Sequence, residues 1–273
     1  MLKKLLKHDF KRSSRFGVPI LLGLLLAAIL GAVNTYQMVS LIEAMASEEA
    51  GFFSVLSTIG AYLMFILIIT AVGAAATVLT VMILVDFYKS LVSDEAYLTH
   101  TLPVKPSSLI NSKLINAFIW TLIVGIATAF VVFAMILGGI LAGDVSSDPG
   151  IEGEMIFPDG LWLTGILGLL TLLSYVVNGN LIYFMAIMFG SVIAKKNKGI
   201  VSVGCVFGIN FIYGTFSSII MTVLMFTGLG FEGENPLIGL NILLAIGFAL
   251  LSGLNVLFYY LTKFMMEKKL NLE

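Results

Sequence analysis

Long uncharged apolar runs alternate with short polar segments along this chain, and that alternation predicts its elements. Six runs stand out: Gly17–Val39, Phe52–Val85, Leu114–Ala142, Leu161–Ala194, Gly199–Leu229 and Pro236–Thr262. A helix needs about 20 apolar residues to cross about 30 Å of hydrocarbon, and each run has them. Runs with excess length tilt, bend or extend past the hydrocarbon. The expected fold class is an all-α integral membrane protein: a six-transmembrane-helix bundle, one domain over residues 1–273.

The polar segments between the runs sort by charge. Lys3, Lys4, Lys7, Lys11, Arg12 and Arg15 precede the first run. Lys89, Lys105 and Lys113 lie between the second and third, Lys195, Lys196 and Lys198 between the fourth and fifth, and Lys263, Lys268 and Lys269 follow the sixth. These are all 15 basic residues of the chain. The other three connections carry acids, including the extended outer loop 143–160 with Asp144, Asp148, Glu152, Glu154 and Asp159. Positive charge collects on the cytoplasmic side of a membrane. The expected topology is therefore multi-pass in the cell (plasma or inner) membrane, with both termini cytoplasmic. The basic start followed by a long apolar run reads as a retained signal anchor, since no small-residue cleavage site follows it.

Within "MLKKLLKHDFKRSSR", Leu2, Leu5, Leu6 and Phe10 share one helical face, and lysines, His8 and Arg12 occupy the other. That pattern predicts an N-terminal amphipathic interfacial helix lying in the headgroup layer.

Composition narrows the class further. Of 273 residues, 59% are hydrophobic and 11% charged, with mean hydropathy +1.05; a soluble chain carries about 25% charge. A net charge of −1 gives no pull toward nucleic acid. Cys205 is the lone cysteine and forms no internal disulfide; it reads as a small packing residue.

Several chemistries lack their residues. The six runs contain no Asp, Glu, Lys, Arg or His, which disfavours proton-coupled transport and voltage sensing. His8 and His100 both fall in cytoplasmic segments, and no H-E-x-x-H or G-x-S-x-G motif occurs, so no intramembrane enzyme is expected. No glycine precedes a lysine, which excludes a Walker A loop. The chain is expected to bind no metal or cofactor itself. A passive channel lacks a filter or a charged ring at membrane depth. What polarity the runs hold comes from hydroxyls and amides. Asn178, Asn180 and Asn210 are candidate substrate-pathway residues, or alternatively interhelical hydrogen-bonding groups.

The segment 86–113, "DFYKSLVSDEAYLTHTLPVKPSSLINSK", stands apart. Phe87, Leu91, Glu95, Leu98 and Leu102 follow a helical repeat until Pro103, and Pro106 opens a second helix leading into the third run. Apolar bulk rimmed by charge on a wet segment fits either a docking surface or a cap on the bundle. Here "FYKSLVSDEAYLTHTLPV…SSLINSKLI" resembles the first cytoplasmic loop of ABC-2 type transporter permeases, a bacterial group with an F-Y-x-S-L-x-x-D-E-x-Y-L-x-x-T-L-P-V pattern. The specific residues span about 86 to 115, and Ala96 stands where many relatives have glycine.

The resemblance implies a coupling helix between spans two and three that docks on a separate ATP-binding subunit. It assigns that contact to Asp94, Glu95, Tyr97, Leu98, Thr101, Leu102 and Pro103. ATP and Mg would be bound by the partner. A second copy, or a related permease, would complete the assembly in the lipid bilayer. The function it implies is the permease subunit of an ATP-binding cassette exporter. The alternative is a non-transporting partner, an immunity or regulatory subunit that docks a cytoplasmic protein through the same loop.

Overall fold

The computed structural model describes residues 2–46, 51–93, 106–142, 161–194, 197–226 and 236–268. Among them are six α-helices and no strand: α1 (Leu2–Ala46), α2 (Phe52–Leu91), α3 (Pro106–Ala142), α4 (Leu161–Ile193), α5 (Lys198–Phe226) and α6 (Pro236–Lys268). All six are long and apolar enough to cross a membrane, which makes this a multi-pass helical membrane protein. Helix is the form such runs must take, because it satisfies every backbone group inside the segment.

The helices outrun the apolar runs. With 45, 40 and 37 residues, α1, α2 and α3 are the longest. At 1.5 Å per residue they extend roughly 55–68 Å, about twice the hydrocarbon thickness. Their surplus lies largely at the ends that carry Lys3–Arg15, Lys89 and Lys113. Prolines stand at the first position of α3 and α6, where a missing N–H costs nothing. The Gly51 carbonyl accepts from both the Ser54 amide and the Ser54 hydroxyl at the start of α2. Between α4 and α5 the chain turns at Asn197, whose φ of 60° lies in the left-handed region that asparagine tolerates better than most residues. Its carbonyl accepts from the amides of Ile200 and Val201.

One expectation changes here. The amphipathic N-terminal segment is not a helix apart from the first span. α1 runs unbroken from Leu2 through Pro19 to Ala46. Part of the apolar stripe faces protein: Leu5 packs against a buried cluster, and Phe10 stacks on Trp120 with ring centroids 5.3 Å apart.

The chain groups into two compact units. Unit 1 comprises Met1–Asp9, Ile83–Phe118 and Met155–Glu273; unit 2 comprises Phe10–Met82 and Ile119–Glu154. Three helices, α1, α2 and α3, contribute residues to both.

In unit 1, α4 is the central helix: 61% of its apolar window is buried, against 6% for α5 and none for α6. It packs on both of them. At the crossing of α4 and α5, a Cβ added to Gly190 would lie 2.5 Å from Ser202 Cα, so glycine is what lets the backbones meet.

In unit 2, α1 meets α3 through small residues and a threonine hydroxyl, and α2 through an asparagine amide. A Cβ on Gly138 would collide with the Ala32 carbonyl, and one on Gly31 would come within 2.7 Å of the Met135 side chain. Thr35 Oγ1 donates across to the Met135 carbonyl at 2.8 Å, and Asn34 Nδ2 reaches the Ala61 carbonyl at 3.3 Å.

Candidate functional site

Segment 86–113 leaves the membrane-spanning part through α2 and returns through α3. Its middle, with Asp94, Glu95, Tyr97, Leu98, Thr101, Leu102 and Pro103, lies outside the described residues. What the structure describes is the base from which it springs, all of it within unit 1.

That base is an apolar core. Phe87 and Leu91 from α2 pack with Leu109 and Ile110 from α3, Phe184 and Met188 from α4, and Met265 and Met266 from α6. Leu91 and Ile110 are completely buried. The Phe87 and Phe184 rings stack at 4.0 Å with 7° between their planes. Phe87 with Leu91 and Phe184 with Met188 are four residues apart and share a helical face, and this core supports the ends of α2 and α3 well into polar sequence. Both mouths of the loop therefore rest in one cluster with α4 and α6.

Beside this core lies an ion cluster. Lys113 Nζ donates to Asp9 Oδ1 and to Asp86 Oδ2, each at 2.7 Å. Ser112 Oγ donates to the other oxygen of Asp9. The three charged side chains are only 9–14% exposed. Burial of this kind strengthens the attraction but also charges a desolvation cost, so losing one partner hurts more than the pair helps. One lysine thus joins the N-terminal segment, the outgoing arm of the loop and the returning arm.

Asp9, Asp86, Ser112 and Lys113 were not singled out by the sequence. Asp86 and Lys113 read only as the limits of the loop. A signal was nonetheless present. Asp9 is the one acid among the first 15 residues, set in a strongly basic flank, and it lies four residues beyond Leu5 on the same helical face.

The three candidate pathway amides meet different fates. Asn178 is buried between helices of unit 1. Its Oδ1 accepts from the Tyr213 hydroxyl on α5 at 2.7 Å, and its Nδ2 donates to Asn255 Oδ1 on α6 at 3.1 Å. Asn255 Nδ2 then donates to the Ser174 carbonyl at 3.1 Å. Ser174 and Ser252 hydroxyls lie 3.3 Å apart, and Thr171 Oγ1 reaches the Leu244 carbonyl at 3.2 Å. This is a ladder of neutral rungs along α4 and α6. Asn180 Nδ2 donates to the Val176 carbonyl of its own helix, and Asn210 Nδ2 donates to the Val206 carbonyl in the same way. The arrangement gives Asn178 the interhelical role.

Unit 2 contributes an apolar groove of about 390 Å³ between α1 and α3, lined by Ala32, Tyr36, Leu137 and Gly138 among others. Among the described residues, no group of three or more His, Cys, Asp or Glu is placed to hold a metal ion.

Comparison with protein-family models, with curated proteins and with solved structures gives no match. The functional reading therefore rests on the loop, its base and the pattern of charges.

Proposed function

We propose that this chain is the membrane-spanning permease subunit of an ATP-binding cassette exporter, and that a separate subunit hydrolyses ATP for it. The observation that carries the reading is the pairing of a loop sequence with its anchorage. Segment 86–113 resembles the coupling loop of ABC-2 type permeases, and both of its mouths are set in a core shared with α4 and α6. A permease without an ATP site must receive work through a rigid element. A loop anchored this way passes a push to two helices directly and to two more through packed side chains.

In this proposal the basic ends of the helices face the cytoplasm. Asp94, Glu95, Tyr97, Leu98, Thr101, Leu102 and Pro103 meet the ATPase. A second permease copy or a related permease completes the passage, and ATP with Mg stays on the partner. The uncharged runs favour an amphiphilic or apolar cargo.

Purification of the tagged chain from its host in mild detergent tests the reading. An ATPase subunit is expected to accompany the wild-type chain and to be lost from the Leu98→Asp/Leu102→Asp double variant. Recovery of the chain without any ATPase sinks the exporter reading. The loop would then serve an immunity or regulatory partner or cap the bundle.

A further inference from the structure

The N-terminal segment has two attachments to the base of the loop. Leu5 packs on the apolar core around Phe87, Leu91 and Ile110. One turn further on, Asp9 takes a proton donor from each of two neighbours in α3, Ser112 and Lys113. The apolar contact is tolerant of small slips, because packing is non-directional. The ionic one is not. Lys113 reaches Asp9 and Asp86 at once, 2.7 Å from each, only when α1, α2 and α3 hold one register.

An ion cluster this deep gains little net stability over apolar residues of the same volume. Its value lies in direction. The same ammonium is bonded to the arm by which the loop leaves and to the segment that precedes the first span, while sitting on the arm by which the loop returns. Removing it cuts both ion pairs together and leaves Asp9 only its bond from Ser112. Cutting at Asp9 alone leaves the N-terminal segment on its apolar contact and Lys113 on Asp86.

We propose that Lys113 is a positioning residue that fastens the N-terminal segment of α1 to both arms of the loop, so that α1 follows any displacement of the loop. The transport role of this fastening rests on the exporter reading above; the fastening itself does not. Lys113 touches no substrate in this scheme and acts through Asp9 and Asp86. Driven motion of the loop enters α1 through the ion pair and α4 and α6 through the apolar core. The first path is lost when the charge at 113 is lost, and the second is retained.

The test uses the full chain in phosphatidylcholine nanodiscs on a Cys205→Ala background. Spin labels at Lys4→Cys and Ser107→Cys report the separation of the N-terminal segment from the start of α3. A single distance is expected with Lys113, and again with Lys113→Arg, which keeps the charge. Lys113→Met is expected to lose that single distance and gain longer ones. In a parallel set, maleimide labelling of Leu5→Cys is expected to rise by about tenfold or more in Lys113→Met, since breaking a buried pair moves an opening equilibrium by more than one decade.

A Lys113→Met chain that keeps one distance and a protected Leu5→Cys overturns the proposal. Should Lys113→Met not fold, Asp9→Asn decides. It removes the charge on the α1 side only and leaves Lys113 on Asp86, so the same loss of the single distance is expected, and an unchanged distance refutes the ionic fastening. An ATPase that co-purifies with the wild-type chain is expected to stay bound to a folded Lys113→Met or Asp9→Asn chain but to lose its stimulation by it. If no ATPase co-purifies at all, the exporter reading fails while the distances still judge Lys113.

Discussion

Unit 1 contains two polar networks of opposite design. At its basic end, one lysine donates to two carboxylates, and a serine hydroxyl donates to one of them. Along α4 and α6, a ladder of serine, threonine, asparagine and tyrosine groups joins helices with no charge at all. Both are largely buried, and both tie together helices distant in sequence. They differ in where they fall along the apolar runs. Asp86 ends one run and Lys113 precedes another, whereas Asn178 and Asn255 lie inside theirs. A charge at a helix centre costs about 2.5–3.5 kcal/mol on insertion, and an amide costs less. Directional bonding inside the apolar runs is therefore made from neutral groups, and this charged cluster stays where polar surroundings begin. The ion cluster forms only once α1, α2 and α3 have come together.

The largest effect that would test this contrast is at Lys113. Removing one partner of a buried ion pair costs about 3–5 kcal/mol, because a carboxylate is left in poor solvent. Lys113→Met should lower the thermal unfolding midpoint of the detergent-purified chain clearly, and Lys113→Arg should lower it little. The neutral combination Asp9→Asn/Asp86→Asn/Lys113→Met should recover much of the loss of the single variant, since it removes the stranded charges as well. If Lys113→Met unfolds at the wild-type temperature, the cluster is solvated in the native protein and the contrast between the networks collapses.

How far the fold could be read from sequence follows the same physics. Runs of uncharged residues and the segregation of 15 basic residues are local features, and they located six helices well. The helix ends were less legible. α1 begins at Leu2 and α2 continues to Leu91 because Leu5, Phe87 and Leu91 find a common core, and periodicity alone does not say what an apolar face will meet. A stripe bound for lipid and one bound for protein look alike on paper. The ion cluster was hidden by distance: Asp9 and Lys113 are 104 residues apart. The same holds for the amides. Asn178 and Asn210 stand in similar apolar sequence, and only tertiary neighbours distinguish them. The loop residues 94–103 carry the resemblance that shaped the functional reading, and they fall outside the described residues.

A middle-sized effect is expected at the ladder. Asn178→Leu removes the acceptor for Tyr213 and the donor to Asn255 together. Hydrogen bonds between membrane helices average about 0.6 kcal/mol and reach about 1–2. The variant should therefore lose about 1–2 kcal/mol, measured by steric trapping or reversible unfolding in mixed micelles. Its loss should be independent of salt, and the replacement of Tyr213 by Phe in the same background should add little, because the two changes cut the same bond. Additive losses would mean that the rungs act separately and that the ladder is only a coincidence of neighbours.

The smallest effect is expected at Asn210, and it sharpens the point most. Its amide donates to the Val206 carbonyl one turn back at 2.8 Å, on a helix whose apolar window is only 6% buried in protein. A bond within one helix satisfies the side chain in lipid but holds nothing else in place. Asn210→Leu should thus change stability by a few tenths of a kcal/mol at most, with apolar burial in lipid offsetting the lost bond. Asn178 and Asn210 then contrast one residue type in two settings: Asn178 buried on the central helix with partners across helix interfaces, and Asn210 half-buried on a helix that lies mostly outside the protein core. Under the exporter proposal, transport by the same two variants completes the comparison. A chain whose Asn210→Leu form is stable but no longer moves cargo would return Asn210 to the pathway, since neither packing nor assembly could explain the defect. Full transport by Asn210→Leu, with a stability loss only at Asn178, would leave the amides of this membrane interior as fasteners, ranked by what they fasten.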